Sequence, residues 1–303
     1  MKRFLLRVLL FFILMIVIDR IVGSVFHYMV ENSKGGYVNH QNKIMNGEKK
    51  DILIFGSSRA VHHYDAKMIE DSLGLSCYNC GQNGNGIILN LGEWWAIKKR
   101  YEPRIVIYDT YLELDLYEND NSKYLGWLKL YYEDHPEVQF VFDMVDKTER
   151  IKMMSKLYQY NYNPMHIIND FIQKKKAIDD HGFFPLIGEF SPMKVNPVQK
   201  KTHDLHPGID TLKMDCLRLL LENKGNTKFI FVTSPRWSGS DGFIPNPITD
   251  LCEEFGIPFI DFSNDPKYVH QAKYFIDGSH LNEKGAEEYT KDIITYLKTA
   301  HIL

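Results

Sequence analysis

Two stretches far apart in the chain hold the residue types of nucleophilic acyl chemistry. In "DILIFGSSRAVHHYD", residues 51–65, an apolar run stops abruptly at Gly56-Ser57-Ser58-Arg59. In "YFIDGSHLNEKGAEEY", Asp277 and His280 stand three residues apart ahead of a helical pattern. A serine hydroxyl attacks a carbonyl when a base takes its proton, and histidine, neutral near pH 7, suits that exchange. A carboxylate on the other ring nitrogen fixes the tautomer and stabilises the imidazolium. A serine at a strand-to-helix turn also sits beside unpaired backbone N–H groups that stabilise an oxyanion. Each stretch alone has a plainer reading. Ser57 or Ser58 caps a helix, and a lone D-x-x-H in a chain with 12 His is a surface turn.

Such groups need a scaffold that gathers strand ends. "DILIFG", "SCYNCG", "RIVIYDT", "TKFIFVTSP" and "IPFIDFS" predict five short strands, with helical patterns between them and a last helix over "EKGAEEYTKDIITYLKTA". The alternation predicts an α/β fold whose parallel sheet is covered on both faces. Ligands of such sheets bind beyond the carboxyl ends of the strands. Those ends are Gly56-Ser57-Ser58, Gly81-Gln82-Asn83-Gly84, Asp109-Thr110-Tyr111 and Thr233-Ser234-Pro235-Arg236. From 113 to about 207 the rhythm breaks into an aromatic-rich, mainly helical and then loop-like stretch. Its length predicts an insertion forming a cap or partner surface.

The charge balance, 36 basic against 39 acidic residues and a formal net charge of -3, offers no basic field for a nucleic acid. The phosphate-cradling patterns G-x-G-x-x-G and G-x-x-x-x-G-K-[ST] are absent at the first turn. Cys77-x-x-Cys80 lacks the second ligand pair of a zinc site, and on a strand the two side chains diverge. Cys77, Cys80, Cys216 and Cys252 read as small buried residues, with no metal and no cofactor required. The amino terminus opens with Lys2, Arg3 and Arg7 and then runs without charge from Val8 to Ile18. That pattern predicts an uncleaved signal anchor over 1–26, a polar spacer over 27–50 and an exported domain over 51–303. The alternative is a buried amphipathic helix, since the run is shorter than a full span.

The order of these parts resembles the SGNH/GDSL hydrolase superfamily. Gly56-Ser57-Ser58 matches its first block, with Ser57 in place of the usual Asp; "NCGQNG" (Asn79 through Gly84) matches the second, and "DGSHLNEKG" the last. The third block departs: where the family has Gly-x-Asn-Asp, this chain has "IVIYDTYLELD". The resemblance covers about residues 50–298 apart from the insertion at 113–207. It implies a three-layer α/β/α sandwich around a central parallel sheet, of SGNH-hydrolase or flavodoxin-like kind. It also implies Ser58 as nucleophile, His280 as base and Asp277 as its orienter, with oxyanion donors at Ser58, Gly84 and Asn83 (Asn85 being a further candidate). Losing the third-block donor typically costs about 100- to 1000-fold in rate. An α/β-hydrolase is excluded because its G-x-S-x-G elbow meets Ala60 at the last position.

Gly-Ser-Ser, the missing Asn, an amino-terminal anchor and a long insertion together resemble the membrane-anchored branch that helps acylate exported polysaccharides or wall polymers. The partners so implied are an acylated glycan or envelope polymer, a membrane-bound O-acyltransferase, and the membrane through the amino-terminal helix of a bacterial-type cell. Two other classes stand beside this: a secreted carbohydrate esterase or lipase with water as acceptor, and a non-catalytic interaction protein on the same fold. Arg59 and Arg236 are candidate ligands of an anionic or sugar substrate, against a solvated or capping role. His62-His63 reads as an exposed helix start, and Trp94-Trp95 as core packing rather than a sugar platform.

Overall fold

Short, mostly apolar runs form the sheet: β1 (Ile52–Gly56), β2 (Cys77–Asn79), β3 (Ile105–Asp109), β4 (Lys228–Thr233) and β5 (Phe259–Asp261), the first three buried throughout and the edge strand β5 half-buried. They are the five strands that the sequence predicts. The computed structural model describes residues 1–173, 178–191, 208–239 and 247–300. All pairings are parallel, in the order β2-β1-β3-β4-β5. The chain leaves β1 to one side for β2 and then crosses to the other side for β3. That reversal opens a crevice beyond the carboxyl ends of β1 and β3, where doubly wound sheets bind ligands. In register, Gly56 pairs with Asp109, so the segments that follow the two strands start side by side.

The helices in chain order begin with α1 (Lys2–Glu31), α2 (Gly36–Asn46), α3 (Ser58–His63), α4 (Ala66–Leu73), α5 (Ile87–Arg100) and α6 (Leu112–Asp115). Then come α7 (Gln139–Val145), α8 (Glu149–Lys152), α9 (Lys156–Tyr160), α10 (Pro164–Gln173), α11 (Thr211–Glu222), α12 (Pro247–Glu254) and α13 (Glu283–Thr299). Alternate strand residues face opposite ways. Ile52, Ile54, Ile105, Ile107, Ile230 and Val232 pack beneath Ala60 of α3, Ile69 of α4 and Tyr289, Ile293 and Leu297 of α13. On the other face Trp94 of α5 meets Phe229 edge-on at 5.3 Å, and Tyr108 stacks on Phe231 at 4.9 Å. Helices therefore cover both faces.

Contacts divide the chain into two units, 1–47 with 121–177 and 48–120 with 178–303. The expected boundaries shift accordingly. The predicted spacer over 27–50 is mostly helical: α1 runs to Glu31, and α2 buries Val38, Gln41, Ile44 and Met45, a helical face whose polar outer side misleads the eye. The predicted insertion over 113–207 splits as well. Residues 121–177 belong with the amino terminus, whereas 178–191 pair within the sheet unit, Phe184 N–H donating to Val61 O at 2.9 Å and Glu283 N–H to Leu186 O at 2.8 Å. Residues 192–207 lie outside the described residues.

Within the first unit, Asp19 of α1 accepts from Ser155 Oγ at 2.6 Å, Lys156 N–H at 2.9 Å and Leu157 N–H at 3.0 Å, capping α9. Gly23 lets α9 cross closely, since a Cβ there would stand 2.2 Å from that of Lys156. Ahead of Asp19, the large apolar side chains from Phe4 to Ile18 are exposed, apart from half-buried Val8. The expected membrane span meets a limit of length: no helix among the described residues is long and apolar enough to cross a membrane. The charge-free run Val8–Ile18 rises roughly 16 Å, about half of a ~30 Å hydrocarbon core.

Gly56 ends β1 at φ 138°, and a Cβ there would meet Asp109 O at 2.5 Å. Both strain and collision forbid a side chain where the turn leading to Ser57 and Ser58 leaves the sheet. Gly56→Ala is expected to destabilise the fold by about 3 kcal/mol, read by urea unfolding. A change within 0.5 kcal/mol of zero would show that the turn relaxes freely.

Candidate active site

β1 delivers Ser57 and Ser58 into the crevice. Ser57 is the N-cap of α3 by backbone, yet its side chain makes no capping bond, and its buried Oγ has no hydrogen-bond partner among the described residues. Ser58, the first helical residue, is half-buried and turns its hydroxyl the other way. Its Oγ lies 2.9 Å from His280 Nε2. The capping role open to either serine is thus taken by neither.

The turn before α13 presents the histidine. It is closed by the antiparallel bridge Phe275–Leu281 and by Ile276 N–H donating to His280 O at 3.0 Å. Asp277 Oδ1 accepts from Ser279 N–H at 2.7 Å and His280 N–H at 2.8 Å, the local bonding that makes Asp a turn former. Asn282 caps α13 by accepting from Gly285 N–H at 2.9 Å, and its amide donates to Gly188 O and Lys273 O. His280 Nδ1 stands 2.9 Å from Asp277 Oδ2. A carboxylate only accepts, so Nδ1 carries the proton and Nε2 offers its lone pair to the Ser58 hydroxyl. Burial opposes the charge on Asp277, but the bonds from His280 and the backbone N–H groups prevail and hold it down to about 2.

The second strand end is pinned to α3. Asn79 Nδ2 donates to Ala60 O at 2.7 Å and Tyr64 O at 2.9 Å, while its Oδ1 accepts from Gly81 N–H at 2.9 Å. Gly81 permits this contact, since a Cβ there would meet Val61 N at 2.3 Å. Gln82 N–H donates to Gly56 O at 3.2 Å. Beyond it Gly84, at φ 69°, is exposed and makes no hydrogen bond among the described residues, which leaves its N–H open to a ligand. Asn83, also exposed, hydrogen-bonds through its side chain to His62. His62 is no exposed helix start: it is buried, and its Nδ1–H donates to Phe184 O at 2.7 Å. Burial pushes its pKa down against the pull of that carbonyl.

At the third strand end, Tyr111 N–H donates to Asp115 Oδ2 at 2.7 Å. Asp115 Oδ1 accepts from Ile87 N–H, the first residue of α5, at 2.8 Å and from Tyr108 OH at 2.8 Å. One buried carboxylate thus clasps the segments that follow β2 and β3. Burial raises its pKa to about 6 despite these donors.

Arg59 departs from its expected role. Its side chain is only 3% exposed and turns inward, Nε 3.7 Å from Asp109 Oδ1, Nη2 donating to Thr110 O, and the guanidinium 4.6 Å from the Tyr111 ring centre. A substrate cannot reach it, because the residue after Ser58 faces the interior. Arg236 is half-buried, and its Nε is buried without a hydrogen-bond partner among the described residues. It shares the surroundings of Tyr111 with Asp277: burial and the charges of Glu113 and Asp277 raise the Tyr111 pKa, while Arg59 and Arg236 lower it. Tyr111, His63, Ser234 and Asp109 carry no signal of their partners at the level of local sequence; the pairing of strand ends reveals them. All four cysteines are buried and unbridged, and burial lifts Cys77 and Cys80 far above the ordinary thiol range. Among the described residues no cluster of three or more His, Cys, Asp or Glu is placed to hold a metal.

A scan of protein-family models finds none that matches this chain, and a comparison with curated proteins finds no match either.

Two outcomes follow from the buried charges. Arg59→Met strands the Asp109 carboxylate and is expected to cost about 3–5 kcal/mol in urea unfolding, most of it regained in Arg59→Met/Asp109→Asn. A double variant no better than the single would contradict the pairing. Asp115 titrates from 3.8 unfolded to about 6 folded. The folded state therefore holds an extra proton between these values. Its contribution is complete below pH 4 and declines by up to about 3 kcal/mol as pH rises to 6. The stability margin of wild type over Asp115→Asn should shrink across that window, and a margin independent of pH would contradict it.

Proposed function

We propose that this chain is an SGNH/GDSL-type serine enzyme that processes acyl esters, with a three-layer, flavodoxin-like α/β/α core. The observation that carries the reading is the continuous chain Ser58 Oγ–His280 Nε2, 2.9 Å, and His280 Nδ1–Asp277 Oδ2, 2.9 Å, beyond the carboxyl end of β1. In it, Ser58 attacks an acyl carbonyl while His280 Nε2 takes the hydroxyl proton, and Asp277 stabilises the imidazolium. The oxyanion is received by the backbone N–H groups of Ser58 and Gly84. As the intermediate collapses, His280 returns the proton to the leaving alcohol, and the acyl group stays on Ser58 Oγ. An incoming hydroxyl, deprotonated in turn by His280, then takes the acyl group and frees Ser58.

As acceptor we propose a glycan or cell-envelope polymer, the acyl group being acetyl or of similar size, in company with a membrane-bound O-acyltransferase. What supports this is the resemblance of the Gly56-Ser57-Ser58 block and of the third strand end, which lacks Asn, to that branch. Attachment to an extracytoplasmic membrane face through α1 belongs to the same proposal, supported by the exposed apolar side chains between Phe4 and Ile18.

The test is covalent labelling by a fluorophosphonate together with turnover of a short-chain p-nitrophenyl ester. Wild type is expected to be labelled on Ser58. Ser58→Ala should lose labelling and at least about 1,000-fold in kcat, with Asp277→Asn losing about 100- to 10,000-fold. Labelling that persists in Ser58→Ala would overturn the assignment of the nucleophile.

A further inference from the structure

Helix α3 touches the turn that carries His280 twice. Its first residue, Ser58, meets the His280 ring, and its last, His63, meets the backbone one residue on, where Leu281 N–H donates to His63 Nε2 at 3.0 Å. His63 is fully buried. A backbone N–H only donates, so Nε2 is unprotonated and the proton sits on Nδ1, which lies 3.0 Å from Ser234 Oγ at the end of β4. The Ser234 hydroxyl acts in turn on Asp109 at the end of β3, and Asp109 Oδ2 accepts from Tyr64 OH at 2.6 Å. Protonation at Nε2 would set two donors against each other. Burial, aided by the charges of His280, Arg59 and His62, keeps His63 neutral.

From this geometry we infer that His63 is a positioning residue: through the Leu281 N–H it fixes the height of the His280 ring over Ser58. The inference rests on the proposed roles of Ser58 and His280. The turn is also held to the segment after β4 by Trp237 N–H donating to Gly278 O at 3.3 Å, and the His62 and His63 rings stand edge-on to the His280 ring at 5.7 and 6.2 Å. His280 and Asp277 are partly exposed, and the Asp277 bonds hold the turn only to itself. The His63 bond is the one that ties the backbone of the turn to the helix bearing the proposed nucleophile, so the two ends of α3 act as a clamp about one and a half turns long. Ser234 and Asp109 supply the fixed end, since Asp109 closes β3 and Ser234 directly follows β4 of the central sheet. The His63 ring packs edge-on to the His280 ring at 6.2 Å, but its two nitrogens are bonded to Ser234 and Leu281, so it exchanges no proton in the cycle.

Two substitutions separate this role from packing. In His63→Gln the amide oxygen reaches the place of Nε2 and accepts from Leu281 N–H; in His63→Asn the shorter amide reaches only the Ser234 side. Both remove the ring. The expected result is a Leu281 amide that exchanges with solvent at least about 10-fold faster in His63→Asn but within about 3-fold of wild type in His63→Gln. In parallel, fluorophosphonate labelling and ester kcat fall about 10- to 100-fold in His63→Asn, with KM within about 3-fold, and are largely restored in His63→Gln. Near-UV circular dichroism checks that both are folded. Equal labelling and kcat in folded His63→Asn and wild type would overturn the positioning role while leaving the nucleophile standing. Equal loss in both variants would reduce His63 to a packing residue. If wild type itself is not labelled, the proposed function fails instead, and unchanged Leu281 exchange in His63→Asn would then overturn the clamp on its own.

Discussion

The site depends on one hydrogen bond, from the Ser58 hydroxyl to His280 Nε2, closed at 2.9 Å between residues 222 apart in the chain. Such a bond returns only about 1 kcal/mol net in a half-exposed setting, too little to order the chain between its ends. Its geometry must therefore be imposed by structure that is stable for other reasons. The parallel sheet does this. β1 and β3 are buried along their whole length, and their ends lie in register. The turn bearing His280 is fastened to the start of α13, whose Tyr289, Ile293 and Leu297 pack on the same apolar layer as β1. Apolar packing supplies the energy, and the polar contact only reads out the alignment.

A second constraint lies beneath the first. The strand ends β1, β3 and β4 converge on buried polar groups, Arg59, Asp109, Tyr64, Ser234 and His63, none of them solvated. Removing charges from water is expensive, and a buried ion pair often stabilises less than apolar residues of the same volume would. What such a group does impose is direction. Burial raises the Asp109 pKa against the pull of Arg59, Tyr64 and Ser234, and these partners come from the two ends of α3 and from the segment that follows β4. A shift of one strand by a single residue would leave several of them unsatisfied at once, so the network penalises misregister more sharply than an oily contact can.

This division explains which parts the amino-acid sequence reveals. Strands buried on both faces, such as β1 and β3, read as uninterrupted apolar runs, and the alternation with helical patterns makes the other three legible, as is the last helix from Glu283. Ser58, Asp277 and His280 stand out because each lies in a short motif, and the structure brings their side chains together. Arg59 is misread because spacing says nothing about which way the first turn of a six-residue helix points. Asp109 and Ser234 are legible as strand ends but not as partners, and His63, read as exposed, is fully buried, since each finds its partner only after strands distant in sequence have paired. The stretch 27–50 is misread for a different reason: a helix with one buried face and many polar residues on the other has the composition of a spacer.

The departure at the third strand end also acquires a physical form. Thr110 is the residue nearest to a replacement donor, but its hydroxyl is engaged with Val232 O at 3.2 Å and Thr233 Oγ1 at 2.8 Å, and its N–H with Val232 O at 2.7 Å. Tyr111 N–H is engaged with Asp115. The donors on that side are therefore spent inside the fold, on bonds that hold β3 to β4 and the third strand end to α5. Under the proposed reading, stabilisation of an oxyanion falls to two backbone groups. These are the N–H of Ser58, orphaned at the helix start, and that of Gly84, in a loop pinned by Gln82 to the end of β1. Both are fixed by main-chain bonds to the element that carries the nucleophile. Their alignment with Ser58 thus survives small motions of the rest of the crevice, which a side-chain donor mounted on β3 would not share.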